Sequence, residues 1–204
     1  MKDLISKYKY DYDYIFFDVG PSLGALNRSI LIASDYYIVP MSVDLFSLSA
    51  IENISISLSN WKKSITRSLS FYEEQEDENF RIDGCDVNWN LKFLGYVVQQ
   101  YTAKTVSGSK RPVNAYEKIN KKIPSAISKH LLDEIAIQVE DFKLGEIQNL
   151  HSLVPLSQSA NCPIFNLKSN DGVVGAHFAM VKESKKIFHK IASNLISHIE
   201  NYHD

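Results

Sequence analysis

The stretch Tyr12-Asp13-Tyr14-Ile15-Phe16-Phe17-Asp18-Val19-Gly20-Pro21-Ser22 decides how the rest of the chain is read. Its apolar centre, Tyr14 to Phe17, lacks the alternation of a half-wet strand, so it predicts a strand over Tyr12–Val19 buried on both faces, as in a parallel sheet. Gly20 and Pro21 stop that strand. Ser22 is placed to cap a helix in which Leu23, Leu26, Ile30 and Ala33 recur at spacings of three and four. Asp35 ends the helix, and Tyr36 to Met41 reads as the next strand.

Working outward, the alternation continues. Leu48, Ile51, Ile54, Leu58, Trp61 and Ile65 form one stripe of a long helix. Residues 70–90 include Glu-Glu-Gln-Glu-Asp-Glu at 73–78, a charge block that cannot be buried, and predict an acidic insertion or mobile loop. Leu91 to Val98 is a third strand, and the polar run from Gln99 to Asn114 reads as a loop at its carboxyl end. Helices are expected over Tyr116–Lys122 and after Pro124 through Ile127, Leu131 and Ile135. A short fourth strand is placed around Ser152–Leu156, then a loop to Gly175. A last helix over about 176–202 carries Phe178, Val181, Ile191, Leu195 and Ile199. Strands alternating with helices imply an α/β fold with a doubly wound, mainly parallel sheet flanked by helices, and no repeat or second core suggests more than one domain.

Composition narrows the function. The 204 residues are 45% hydrophobic and 23% charged, which fits a folded globular chain. A net charge of −2 excludes a uniformly basic nucleic-acid binder but leaves room for a basic face. Two cysteines, Cys85 and Cys162, are too few for a disulfide framework or a four-thiolate zinc site. No run is long enough to span a membrane and no secretory leader is seen, so the expected location is the cytoplasm. The six histidines show no close ligand spacing, and no Ser/His/Asp or Cys/His order suggests a nucleophile.

In an open parallel sheet, ligands collect beyond the carboxyl ends of the strands. That rule gathers Asp18 to Ser22, Pro40 to Phe46, Gln99 to Lys104 and Pro155 to Ser159. Asp18 is either a turn-capping carboxylate or an acid associated with a hard cation, which prefers oxygen ligands.

The order of short motifs resembles the ParA/MinD family of partition-type ATPases. The residues that carry the resemblance are Tyr12 through Gly24, then Asn27, Ala33-Ser34-Asp35 and Ile38-Val39-Pro40 to Asp44-Leu45-Phe46-Ser47-Leu48. It returns at Leu94 to Val98, at His151 to Ser157, at Cys162-Pro163-Ile164-Phe165 and at Val174-Gly175-Ala176-His177. Gly20 stands where the family usually has proline. The resemblance implies an incomplete P-loop NTPase fold over residues 1–204, lacking its N-terminal strand and phosphate loop. It implies Mg and ATP as family cofactors, Asp18 as the switch acid near magnesium, and Gly20 and Pro21 in the nucleotide-binding switch. By position, Asp44 and Phe46 would lie near the nucleotide and dimer face, with Gln99 or Gln100 and Pro155 to Ser157 near the adenine. The glutamines read equally as surface amides, and Phe46 as core.

No Gly-x-x-x-x-Gly-Lys-Ser/Thr pattern occurs; Gly108-Ser109-Lys110 lacks the first glycine and the following hydroxyl residue. Backbone amides of such a loop cradle the phosphates and its lysine offsets their charge, so these residues alone are expected to show little or no ATP hydrolysis. The exposed strand edge left by the missing half predicts a homodimer or a protein partner. DNA binding, the other family trait, falls to Lys182, Lys185, Lys186 and Lys190 on the last helix and to Lys110 and Arg111, which read otherwise as solvated faces. The competing reading is a non-catalytic interaction module derived from the same ancestor.

Overall fold

A computed structural model describes residues 5, 7–8, 10–20, 22–82, 84–101, 103–106, 109–112, 118–132 and 141–202. The chain forms two compact units: Met1–Tyr37 with Glu52–Phe93, and Ile38–Ile51 with Leu94–Asp204. The sheet contains β1 (Tyr36–Ser42), β4 (Lys92–Tyr101) and β7 (Lys143–Gln148) in the order β1-β4-β7. Strands β4 and β7 pair in parallel, with Val97 opposite Gly145 and Gln99 opposite Ile147. The central position of β4 explains its sequence. Phe93 through Val98 are all buried, the near-continuous apolar run that a strand covered on both faces requires. The architecture is α/β, with a mainly parallel sheet flanked by helices.

In the second unit, α3 (Ile123–Leu131) follows β4 in the chain and buries Ile123, Ile127 and Leu131, an i, i+4, i+8 stripe. Helix α5 (His177–Asn201) packs on β7. Gly145 allows that approach, because a Cβ there would meet Ile191 Cγ1 at 2.5 Å. Two side chains of α5 then satisfy strand carbonyls: Asn194 Nδ2 donates to Leu144 O at 2.9 Å, and His198 Nδ1 lies 2.8 Å from Leu94 O. Gly95 has φ +152°, and a Cβ there would meet Phe142 O at 2.6 Å, so the start of β4 also needs glycine. A smaller core of Leu150, Leu153, Leu167 and Val173 lies under α4 (Leu153–Ala160) and two 3₁₀ turns, Ile164–Asn166 and Ser169–Asp171.

In the first unit, α1 (Ala25–Ala33) ends at Ser34, whose hydroxyl donates to Ile30 O at 2.8 Å. Helix α2 (Leu45–Glu76) begins in the second unit and continues through this one. Asp77, at φ 55°, supplies the left-handed residue that ends it, and its N–H bonds Glu73 O at 2.9 Å. The chain folds back so that Phe80 stacks edge-on against Tyr72, with centroids 5.2 Å apart. A hairpin of β2 (Arg81–Ile82) and β3 (Cys85–Asp86) follows.

Several expectations are corrected. The first is the opening strand: residues 14–20 have no regular secondary structure, and Tyr12, Tyr14 and Phe16 are exposed. A strand exists only through ladder bonds to a neighbour, and among the described residues 12–19 no such bond forms. The expected insertion at 70–90 instead begins as the last turns of α2, where an acidic block is solvated on a helix as readily as in a loop. Gln99–Asn114 is not a loop throughout, since β4 runs to Tyr101 and β5 (Ala103–Val106) pairs antiparallel with β6 (Ser109–Pro112). The strand expected at Ser152–Leu156 is the first turn of α4, which tolerates Pro155 because early helical N–H groups lack intrahelical acceptors. The sheet's strand is Lys143–Gln148 instead. Ser22 is not the cap of α1; Gly24 takes that position with no side-chain bond. The helices expected over Tyr116–Lys122 and through Ile135 lie partly outside the described residues.

Candidate functional site

Asp18 sits on an exposed arm of the first unit, between the unpaired apolar segment and α1. Its carboxylate makes no ion pair among the described residues. Beyond it the backbone is held tightly. Ser22 N–H donates to Gly20 O at 2.8 Å, closing a turn, while Asn27 Nδ2 donates to Gly20 O at 2.7 Å and Ser22 O at 2.6 Å. Asn27 is only 8% exposed, so the amide is spent on this turn and not on solvent. Its signal in the sequence is an amide in the middle of an otherwise apolar helix face. Pro21 lies outside the described residues.

The other candidates belong to the second unit. Asp44 Oδ1 accepts the Ser47 N–H at 2.7 Å, the bond of an N-cap, and starts α2. Phe46, in the first turn, is 88% exposed and so is not a core residue. Gln99 lies near the carboxyl end of β4, opposite Ile147 of β7, and is half-buried; the side chain of Gln100 lies outside the described residues. Because β4 and β7 run in parallel, Gln99 and the turn leading into α4 lie at the same edge of the sheet. On α4, Pro155 is exposed, whereas the Ser157 hydroxyl donates to Cys162 O at 2.5 Å and closes the helix end. Asp44 and Ser157 therefore both have structural bonds already.

At the amino ends of α4 and α5, Ser152 Oγ and His177 Nε2 are 3.1 Å apart, and His177 Nδ1 is buried with no partner among the described residues. Such a pair lacks the third group that would orient the imidazole as a base. Lys182, Lys185, Lys186 and Lys190 are all exposed on α5, with Lys186 paired to Glu183 at 3.6 Å. The side chains of Lys110 and Arg111 lie outside the described residues. Among the described residues, no helix is long and apolar enough to cross a membrane.

Residues 1–71 match the family described as an AAA domain. The chain is 30% identical over 111 residues to an uncharacterized protein, MJECL24, of Methanocaldococcus jannaschii, covering 54% of this chain and 35% of that relative. It thus spans about a third of that protein's length. In fold it is similar to the crystal structure of protein DIP2308 from Corynebacterium diphtheriae, with TM-score 0.51 and 24% identity, over 78% of this chain and 52% of the other. The match over residues 1–71 supports a ParA/MinD-like relationship, a family whose cofactors are ATP and Mg, and the structural likeness bears on the fold alone. Among the described residues no group of three or more His, Cys, Asp or Glu could hold a metal, and the sequence supplies Asp18 without a phosphate-cradling loop.

Proposed function

We propose that this chain is the switch-bearing part of a ParA-like, nucleotide-dependent protein of DNA partition, and that these residues do not hydrolyse ATP by themselves. The observation that carries the reading is the arm itself. An apolar run with strand composition, Tyr14 to Phe17, leads to an exposed carboxylate at Asp18 that makes no ion pair among the described residues, and then to a turn bonded to a helix. Asp18 would face magnesium only when phosphate-binding amides come from other sequence or another chain. The run before it would then gain a neighbouring strand. A homodimer or a protein partner covering this run follows from the same reasoning. The exposed lysines of α5 would contribute phosphate neutralisation without reading sequence, seen as DNA retention that falls steeply with salt.

A second reading, a non-catalytic interaction module, is favoured by the capping bonds that already occupy Asp44 and Ser157. Calorimetry with Mg and ATP separates the two questions. The chain alone should give no heat of binding, and a complemented protein should bind in a way that Asp18→Ala weakens. Micromolar binding by the chain alone, abolished by Asp18→Ala, would overturn the proposal that the phosphate site lies elsewhere. Complemented binding indifferent to Asp18→Ala would leave only the interaction module.

A further inference from the structure

We propose that Asn27 is the positioning residue of the Asp18 arm: its amide holds the backbone carbonyls of Gly20 and Ser22 on α1. The inference rests on reading Asp18 as the switch acid, and it concerns how that acid is held. Both acceptors of Asn27 are backbone carbonyls, Gly20 O and Ser22 O. A carbonyl only accepts, so the side chain must present Nδ2, with its two N–H groups, and not Oδ1; the network admits no flipped amide. The Ser22 hydroxyl lies 3.4 Å from the same nitrogen.

This arrangement is a clamp and not ordinary packing. Gly20 O also accepts the Ser22 N–H, so one carbonyl ties the turn to itself and to the helix. Asn27 lies on α1 and is buried, which anchors the clamp to a regular element. Among the described residues the segment before Asp18 forms no strand ladder, whereas Gly20 and Ser22 just after it are bonded to α1. Loss of the amide should free Gly20 and Ser22 and leave α1 in place.

The decisive variant is Asn27→Asp, which is close in size but at neutral pH offers only acceptors to two carbonyls. Amide exchange should be about tenfold faster or more at Ser22, the expected scale for losing a buried hydrogen-bond donor. At acid pH the introduced carboxyl becomes protonated and can donate one bond. Protection at Ser22, taken relative to the wild type at the same pH, should then return in part. Asn27→Ala should lose protection at both pH values. A purely space-filling role would not make the aspartate variant depend on pH.

Exchange in β4 serves as the internal check that each variant is folded, and Asn27→Leu, which is close in size and has no donor, substitutes if Asn27→Ala does not fold. Unchanged Ser22 protection in Asn27→Asp at neutral pH would overturn the clamp, as would identical pH responses of the aspartate and alanine variants. Neither measurement requires nucleotide, so failure of the Asp18 reading in calorimetry is distinguishable from failure of this one.

Discussion

Replacing Gly145 by alanine should destabilise the second unit, and removing Ile191 should reverse the sign of that effect. Two opposing terms decide it. Gly145 does not occupy the left-handed region, so alanine can adopt its backbone, and restricting the unfolded chain favours alanine by about 0.4–1 kcal/mol. Against this, the new Cβ would lie 2.5 Å from Ile191 Cγ1 and 3.3 Å from Cδ1, roughly an ångström inside the ordinary separation of carbon atoms. Overpacking of that kind costs about 1–3 kcal/mol. The net expectation is a loss of roughly 1–2 kcal/mol in the wild-type background. In Ile191→Ala both close atoms are absent, and only the ordinary 3.8 Å distance to Cβ remains. There Gly145→Ala should be neutral to stabilising by up to about 1 kcal/mol, giving a coupling on the order of 1–3 kcal/mol. Urea unfolding of the four proteins, followed by far-ultraviolet dichroism and by amide exchange in β7, measures the cycle. Equal destabilisation by Gly145→Ala in both backgrounds would refute the close approach of α5 to β7 as the reason for the glycine.

The same interface makes a second prediction. His198→Phe keeps a ring beside Phe142 but removes the donor to Leu94 O, and should cost about 0.5–1.5 kcal/mol in the same unfolding assay. The Tyr96 hydroxyl is held well above the ordinary tyrosine range, first by burial and then by the nearby charges of Asp141 and Glu146. Because the folded value is raised, this contribution to stability is fully present below the unfolded value and is lost as pH rises through the folded one. Ultraviolet difference absorbance should show one tyrosine that ionises only with alkaline unfolding, and Tyr96→Phe should remove that component. Ionisation of every tyrosine before unfolding would contradict the burial.

The parts of the fold that were legible in the sequence are those whose burial is written in residue type. β4 reads as a strand because Phe93 to Val98 are covered on both faces, and α5 reads as a helix because its apolar stripe repeats over its 25 residues. β7 was hidden for the opposite reason. Lys143-Leu144-Gly145-Glu146-Ile147-Gln148 has two apolar residues and a glycine, and its place depends on what packs against it: Ile191 over Gly145, and Asn194 on the Leu144 carbonyl. The apolar Leu153-Val154-Pro155-Leu156 looked more like a strand, yet its apolar residues serve a helix over the small core. Among the candidate site residues, Asp18 could be singled out by its position after an apolar run. The roles of Asp44 and Ser157 could not, because an N-cap and a helix-end bond depend on where each helix begins and stops.

The unpaired run before Asp18 and the clamped turn after it differ in the range of the contacts they need. Asn27 reaches Gly20 and Ser22 across separations of seven and five residues, so its bonds close within one stretch of chain. Tyr12 to Val19 has strand composition, but a ladder is made with a second segment, and loop closure or association must supply it. Composition therefore describes what this run can become, and only a neighbour determines whether it does. Exposed Tyr12, Tyr14 and Phe16 keep apolar surface in water, while the backbone around them remains open to pairing. An added strand would bury both without disturbing the turn. In that arrangement the acid would already be held from its carboxyl side, and pairing would fix it from the other. Under the proposal that Asp18 is the switch acid, restraint by its own helix on one side and by an added strand on the other would give assembly a direct hold on the site's geometry.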